Sequence, residues 1–275
     1  MLFIKKINKK IEIEEIKKEV AIYEKDTIYV GGSLIEGEIN SLSSGMGNIY
    51  SDIDFFIIRE HESFLKTNCI YDNKFKKTLF VNSLKYDVEI YDSLFIDLLI
   101  NEINNINFDI ATRINNTIKL DISLSDINSF LCRLYNSICL YNENYYNKLK
   151  NSINQKKFLE LYSSYFLNII DNKIVDVIGN LSEKQYDVAL YCMRSIFLDF
   201  SKYFIMKNNE YIDRDKWVFL KLFNIIKHDC HHEIKNCYNK LFCSVVDENK
   251  EKVILESLDF IKNKIEDFSL EEINI

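Results

Sequence analysis

The pattern of apolar and polar positions changes character once along this chain. Between Asn8 and Glu24, the residues Ile11, Ile13, Ile16, Val20 and Tyr23 recur at helical spacing among Glu and Lys, which predicts a first helix. Thr27–Val30 is a short β-branched and aromatic run that stops at Gly31-Gly32-Ser33. Asp52–Ile58 predicts a second strand, Thr78–Val81 a third, and Lys85–Tyr91 a fourth with clear period-two alternation. Leu94–Ile106 reads as a helix and Thr117–Asp121 as a last short strand. Helical spacing then takes over in Ile127–Tyr146, Lys156–Val177, Lys184–Lys207, Lys216–Ile226, His231–Val246 and Lys250–Phe268. No fixed-period repeat is present, which argues against a solenoid. The expected fold class is α+β: an α/β domain with a small mixed sheet over residues 1–122, followed by an all-α helical bundle over residues 123–275.

Composition narrows the function classes. With 47% hydrophobic and 28% charged residues, the chain has the balance of a globular protein and not of a disordered one. Its net charge of −7 is spread over both halves, so neither half is a basic module made for nucleic-acid backbone. No apolar run is long enough to cross a bilayer, and the lysine-rich start runs into charged residues at Glu12–Glu15, where a signal peptide would need an apolar core. Seven scattered cysteines without a CxxC pair read as buried thiols in a reducing cytoplasm.

The chemistry concentrates in two segments. Val30-Gly31-Gly32-Ser33 leaves a strand through residues with no Cβ, where backbone N–H groups and a hydroxyl can meet a phosphate. Then comes Ser51-Asp52-Ile53-Asp54-Phe55. Two carboxylates separated by one strand residue share a face, about 6–7 Å apart at their α-carbons. Such a pair calls for a cation, and its natural partner is Mg²⁺, which takes carboxylate and phosphate oxygens. In Lys85–Tyr91, Asp87, Glu89 and Tyr91 share one face, so either Asp87 or Glu89 can be a third acid that binds metal or takes a proton.

This order of strand, Gly-Ser turn, Gly37, Ser-Asp-Ile-Asp and a later strand acid resembles the polymerase-β-type nucleotidyltransferase superfamily. Within it the chain most resembles the minimal bacterial antibiotic nucleotidyltransferases of the aminoglycoside type, which join such a domain to a helical one. The resemblance implies Gly32 and Ser33 as the phosphate-contacting turn and Asp52 and Asp54 as metal ligands. It also implies Asp87 as the third metal-binding and catalytic acid, with Glu89 in reserve. The spacing departs from the family's pattern, because residues 34–51 make a longer link than usual. The extra length falls in Glu38–Asn48, expected as a polar loop at the mouth of the site.

A weaker resemblance covers Arg194-Ser195-Ile196-Phe197 and Arg214-Asp215-Lys216-Trp217, and implies Arg194 and Lys216 as triphosphate-binding residues. Arg194 lies on an apolar stripe, where a cation needs an anionic partner: either a phosphate or a core carboxylate such as Asp187. Arg113 is a third basic candidate. The histidines His228, His231 and His232 with Cys230 have no second cluster to complete a zinc site. The function implied is a transferase that uses two Mg²⁺ ions to move a nucleoside monophosphate, AMP from ATP, onto a hydroxyl of a small molecule, releasing pyrophosphate. Antibiotic resistance follows if that molecule is an aminoglycoside. The alternatives are a toxin-like enzyme acting on a protein or tRNA, and a non-catalytic, antitoxin-like relative.

Overall fold

A computed structural model describes residues 2–66, 74–81, 84–108, 118–229, 232–244 and 249–273. The chain divides into two compact units, the first running to Phe158 and the second from Leu159 onward. Each is described by itself.

The first unit opens with an antiparallel hairpin, β1 (Leu2–Ile4) and β2 (Lys9–Ile11), followed by one helical turn, α1 (Ile13–Ile16). The helix expected over Asn8–Glu24 is therefore replaced by a hairpin and irregular chain. Asn8 takes a left-handed conformation (φ 52°) and turns the hairpin, a role Asn accepts more readily than most residues. Ile11, Ile16 and Val20 are buried as their spacing suggested, but without a continuous helix to carry them. The apolar contacts decide the outcome here, and the periodicity does not.

A five-stranded mixed sheet follows, built from β3 (Thr27–Gly31), β4 (Ile53–Arg59), β5 (Lys74–Val81), β6 (Leu84–Asp92) and β7 (Ile138–Tyr141) in the order β5-β6-β4-β3-β7. Only β4 and β6 are parallel; the other pairs are antiparallel. Between the strands lie α2 (Ser33–Ile39), α3 (His61–Leu65), α4 (Ser93–Asn105), α5 (Leu124–Tyr135) and α6 (Glu143–Ser152). One face of the sheet presents Ile28, Val30, Ile53, Phe55, Ile57, Val88 and Ile90 to a core shared with Ile4, Ile11, Leu34 and Phe64. The other face carries Tyr29 stacked on Phe56 at 4.9 Å, with Phe130 of α5 against Tyr91.

Two expectations fail in this unit. Residues 118–121 form no strand, and the missing strand lies further on, inside the run expected as one helix from Ile127 to Tyr146. That run breaks at Asn136, crosses the sheet as β7 beside β3, and restarts after Asn142, again left-handed at φ 60°. Cys139 and Ile138 pair with Tyr29 and Val30, so an apolar stretch that could satisfy either period completes a sheet edge. The first unit consequently continues past residue 122 to Phe158.

The second unit contains α8 (Tyr186–Lys207), α9 (Asp215–Asp229), α10 (His232–Phe242) and α11 (Lys250–Ile273), together with most of α7 (Gln155–Ser182). These match the expected helical runs to within a few residues. Phe197, Phe219, Tyr238 and Phe242 form an aromatic cluster among them. Asp199, almost fully buried, is held by Lys173 at 2.5 Å and Lys202 at 3.3 Å. No described helix is long and apolar enough to cross a membrane. Cys132 and Cys237 are buried as expected, whereas Cys139 and Cys192 are only half-buried and Cys243 is exposed; Cys69 and Cys230 lie outside the described residues.

Candidate active site

The sheet register brings the sequence motifs together at one end. Asp54 pairs with Gly31 on one side and with Asp87 on the other, so strand ends from β3, β4 and β6 place three motif positions in one row. Gly32 leaves β3 at φ 85° and ψ −179°, a backbone region essentially reserved for glycine. A Cβ at this position would lie 1.8 Å from Oδ2 of Asp54. The Asp54 carboxylate thus sits directly on the Gly32 backbone, and the turn and the acidic strand fit one another only because residue 32 has no side chain. Ser33 begins α2, whose first intrahelical bond runs from the Glu36 N–H to the Gly32 carbonyl.

The carboxylates are arranged against cations. Lys85 lies on the same strand face as Asp87 and donates to Oδ2 of Asp52 at 2.9 Å and to Oδ2 of Asp87 at 3.4 Å. The Thr78 hydroxyl donates to Oδ1 of Asp87 at 2.9 Å. Asp54 meets Arg133 of α5 instead, at 3.2 Å from Nη1. Partial burial of Asp52 raises its carboxyl pKa, but hydrogen bonds from Lys85 and with Asp87, aided by the Lys85 charge, outweigh this and hold it below the ordinary range. The same contacts raise the Lys85 ammonium, first through its hydrogen bond to Asp52.

Glu89 differs from Asp87. It is only 7% exposed; Lys76 lies 2.7 Å from Oε1, Arg133 3.8 Å from the same oxygen, and the Tyr91 hydroxyl donates to Oε2 at 2.6 Å. Burial pushes its carboxyl up, while the bonds from Lys76 and Tyr91 and the charges of Lys76 and Arg133 bring it below the usual value. Glu89 is thus engaged within the sheet, whereas the Asp87 side chain is about one-third exposed.

Arg133 is the residue that sequence reasoning missed. It links Asp54 and Glu89, lies 5.8 Å from the centre of the Phe56 ring, and is 11% exposed. Its signal was present: it is the lone charge in Phe130–Cys139, on the helix whose apolar side covers the sheet.

The segment Glu38–Asn48 is largely an exposed turn and loop, but it is tied to the fold at several points. A Cβ on Gly37 would meet the Met46 carbonyl at 2.6 Å, and one on Gly47 (φ 70°) would meet Leu34 Cα at 2.8 Å. The Ser43 hydroxyl donates to Glu36, and Lys6 donates to the Met46 carbonyl at 2.7 Å. Gly37 is therefore where the longer link crosses α2 at close range.

In the helical unit, Arg194 donates from Nε to the Leu241 carbonyl at 2.8 Å and lies over the Phe242 ring. Asp187, considered as its ion-pair partner, binds Lys250 instead at 2.6 Å. Lys216 lies in the first turn of α9, with its ammonium 5.3 Å from the Trp217 ring. Arg113 lies outside the described residues, as do Cys230 and His231.

The donor set fits a hard divalent cation. Asp52 and Asp87 already share one positive charge, the Lys85 ammonium, and Mg²⁺ usually takes one or two protein carboxylates with substrate phosphates completing its shell. Among the described residues, no three His, Cys, Asp or Glu side chains close around a common point.

Replacing Gly32 with Ala should cost about 1–3 kcal/mol of stability in urea unfolding, because it combines a glycine-only backbone with a collision at Asp54. A loss below about 0.5 kcal/mol would contradict the contact. Glu89→Gln should destabilise at neutral pH by roughly 1–3 kcal/mol. A carboxylate whose folded pKa is depressed stabilises the fold above its unfolded value of about 4.3 and loses that contribution as pH falls through the folded value. The stability gap between parent and Glu89→Gln should therefore close below about pH 4.3, read from melting temperatures; a gap independent of pH would refute the assignment.

No family model matches the chain, and neither does any curated protein. Among solved structures it is similar to a nucleotidyltransferase-like protein from Exiguobacterium sibiricum 255-15, at 12% identity and a TM-score of 0.49, over 91% of this chain and 73% of that one.

Proposed function

We propose that the protein is a nucleotidyltransferase that moves AMP from ATP onto a hydroxyl of a small acceptor and releases pyrophosphate. One observation supports this reading: the Asp54 carboxylate is seated on the Gly32 turn and in register with Asp87, which Lys85 joins to Asp52, so the turn and the strand acids lie at one sheet end. Asp52, Asp54 and Asp87 would hold Mg²⁺. When bound, the metal supplies positive charge at the phosphate oxygens and lowers the pKa of the acceptor hydroxyl.

The chain's own residues account for the rest. The N–H groups of the turn that opens α2 and the Ser33 hydroxyl orient the triphosphate, while the missing Cβ of Gly32 admits the Asp54 carboxylate beside them. Asp87 takes the acceptor proton at Oδ2, while the Thr78 hydroxyl holds its other oxygen. Glu89 is unsuited to this task, since its oxygens are committed to Lys76, Tyr91 and Arg133. Arg133 steadies Asp54 against the turn. A net charge of −7 suits a cationic hydroxylated acceptor, such as an aminoglycoside, better than an RNA.

Asp52→Asn and Asp54→Asn should each reduce pyrophosphate release from ATP, assayed against a panel of hydroxylated acceptors, by at least about 10²-fold, as for the loss of a charged transition-state contact. Without metal, Asp52→Asn should keep a melting temperature near the parent's, while Asp54→Asn should melt lower because Arg133 loses a buried charge partner. Asp87→Asn should lower kcat far more than it weakens ATP binding, and Glu89→Gln should reduce kcat much less. Parent-level release in both Asp52→Asn and Asp54→Asn would refute the reading. A larger kcat loss in Glu89→Gln than in Asp87→Asn would move the proton acceptor two residues along β6.

A further inference from the structure

We infer that Lys85 is a built-in counter-ion of this site, one that holds the Asp52–Asp87 pair in the absence of metal and must give way when a divalent cation binds. The inference rests on the nucleotidyltransferase reading and adds to it a competition encoded in the chain itself.

The geometry is specific. Lys85 precedes Asp87 by two residues on β6, so the strand period sets both side chains on one face. The parallel register aligns Asp87 with Asp54, and Asp52 lies two residues earlier on that chain. The Lys85 ammonium donates at 2.9 Å to Asp52 and at 3.4 Å to Asp87, and so bridges carboxylates from two strands. Its side chain is 43% exposed, and only a flexible four-carbon stem fixes it there. An ammonium so placed can swing into solvent without disturbing the sheet.

Arg133 is a contrasting case. Its side chain is 11% exposed, touches Asp54, Glu89 and Phe56, and packs beside Gly31, so it cannot leave without opening the interface between α5 and the sheet. The site therefore holds a fixed cation on Asp54 and a removable one on the Asp52–Asp87 pair. A divalent ion gains more from two carboxylates than a single ammonium does, because its charge is double and its radius is smaller. Removing Lys85 should relieve the competition and tighten metal binding. The apo protein would in turn lose a partner for two neighbouring acids.

The test uses Mn²⁺ alone as the probe, with no nucleotide, and reads bound ion by electron paramagnetic resonance. Lys85→Met should bind Mn²⁺ about three- to tenfold more tightly than the parent, the size expected for losing a partly exposed competing ion pair. Lys85→Arg, which keeps the charge, should stay near the parent. In the unmodified protein, Mn²⁺ should increase acylation of Lys85 by an amine reagent while leaving Lys25, paired with Glu60 on the surface, unchanged. This second readout holds even if a variant folds poorly. Equal or weaker Mn²⁺ binding by Lys85→Met, or Lys85 acylation indifferent to Mn²⁺, would overturn the counter-ion role and leave the nucleotidyltransferase reading standing. No Mn²⁺ binding in parent or variant, or binding that survives in Asp52→Asn, would overturn both.

Discussion

The Asp54 carboxylate lies against the bare backbone of Gly32, and the first unit is organised around that approach. The turn needs a glycine conformation, which only residue 32 can adopt cheaply at that point. The acid needs a compensating cation because its side chain is only 14% exposed, and α5 supplies one through Arg133. Arg133 in turn brings Glu89 into the same network. A sheet end that would be repulsive as a set of carboxylates is thus held together by shared cations, a buried arginine on one side and a partly exposed lysine on the other.

This arrangement separates two kinds of acid that look alike along a strand. Asp87 and Glu89 share a face and both are hydrogen-bonded, yet Asp87 is about one-third exposed and Glu89 is buried. A proton acceptor needs an open oxygen and freedom to exchange partners. A carboxylate that fixes α5 on the sheet needs the opposite, buried and saturated hydrogen bonding. On the proposed reading, two residues along one strand divide the structural and chemical work.

Much of this could be read in the sequence, wherever a residue type answers to a single local demand. Gly31-Gly32-Ser33 marked a turn, Asp52 and Asp54 marked a face, and the alternation in Lys85–Tyr91 marked a strand with its acids on one side. What remained hidden depended on partners distant in sequence. Ile11 and Ile16 are buried by a hairpin that mimics helical spacing, and Ile138–Tyr141 is a strand because β3 offers it an edge. Arg133 acquires its meaning from the packing of α5 on the sheet, and Lys85 reaches Asp52 only through the β4–β6 register, although its place beside Asp87 follows from the strand period. Gly37 has its place in the motif order, but the reason for a glycine there is the Met46 carbonyl close above it.

The central claim is that these acids direct attack on the α-phosphorus of ATP. The most direct measurement follows both ends of the nucleotide in one incubation of the unmodified protein with Mg²⁺ and a hydroxylated acceptor, using ATP labelled separately at the α and γ phosphates. The account predicts that the α label appears on the acceptor while the γ label leaves as pyrophosphate. Release of the γ label as orthophosphate, with the α label left in ADP, would contradict it.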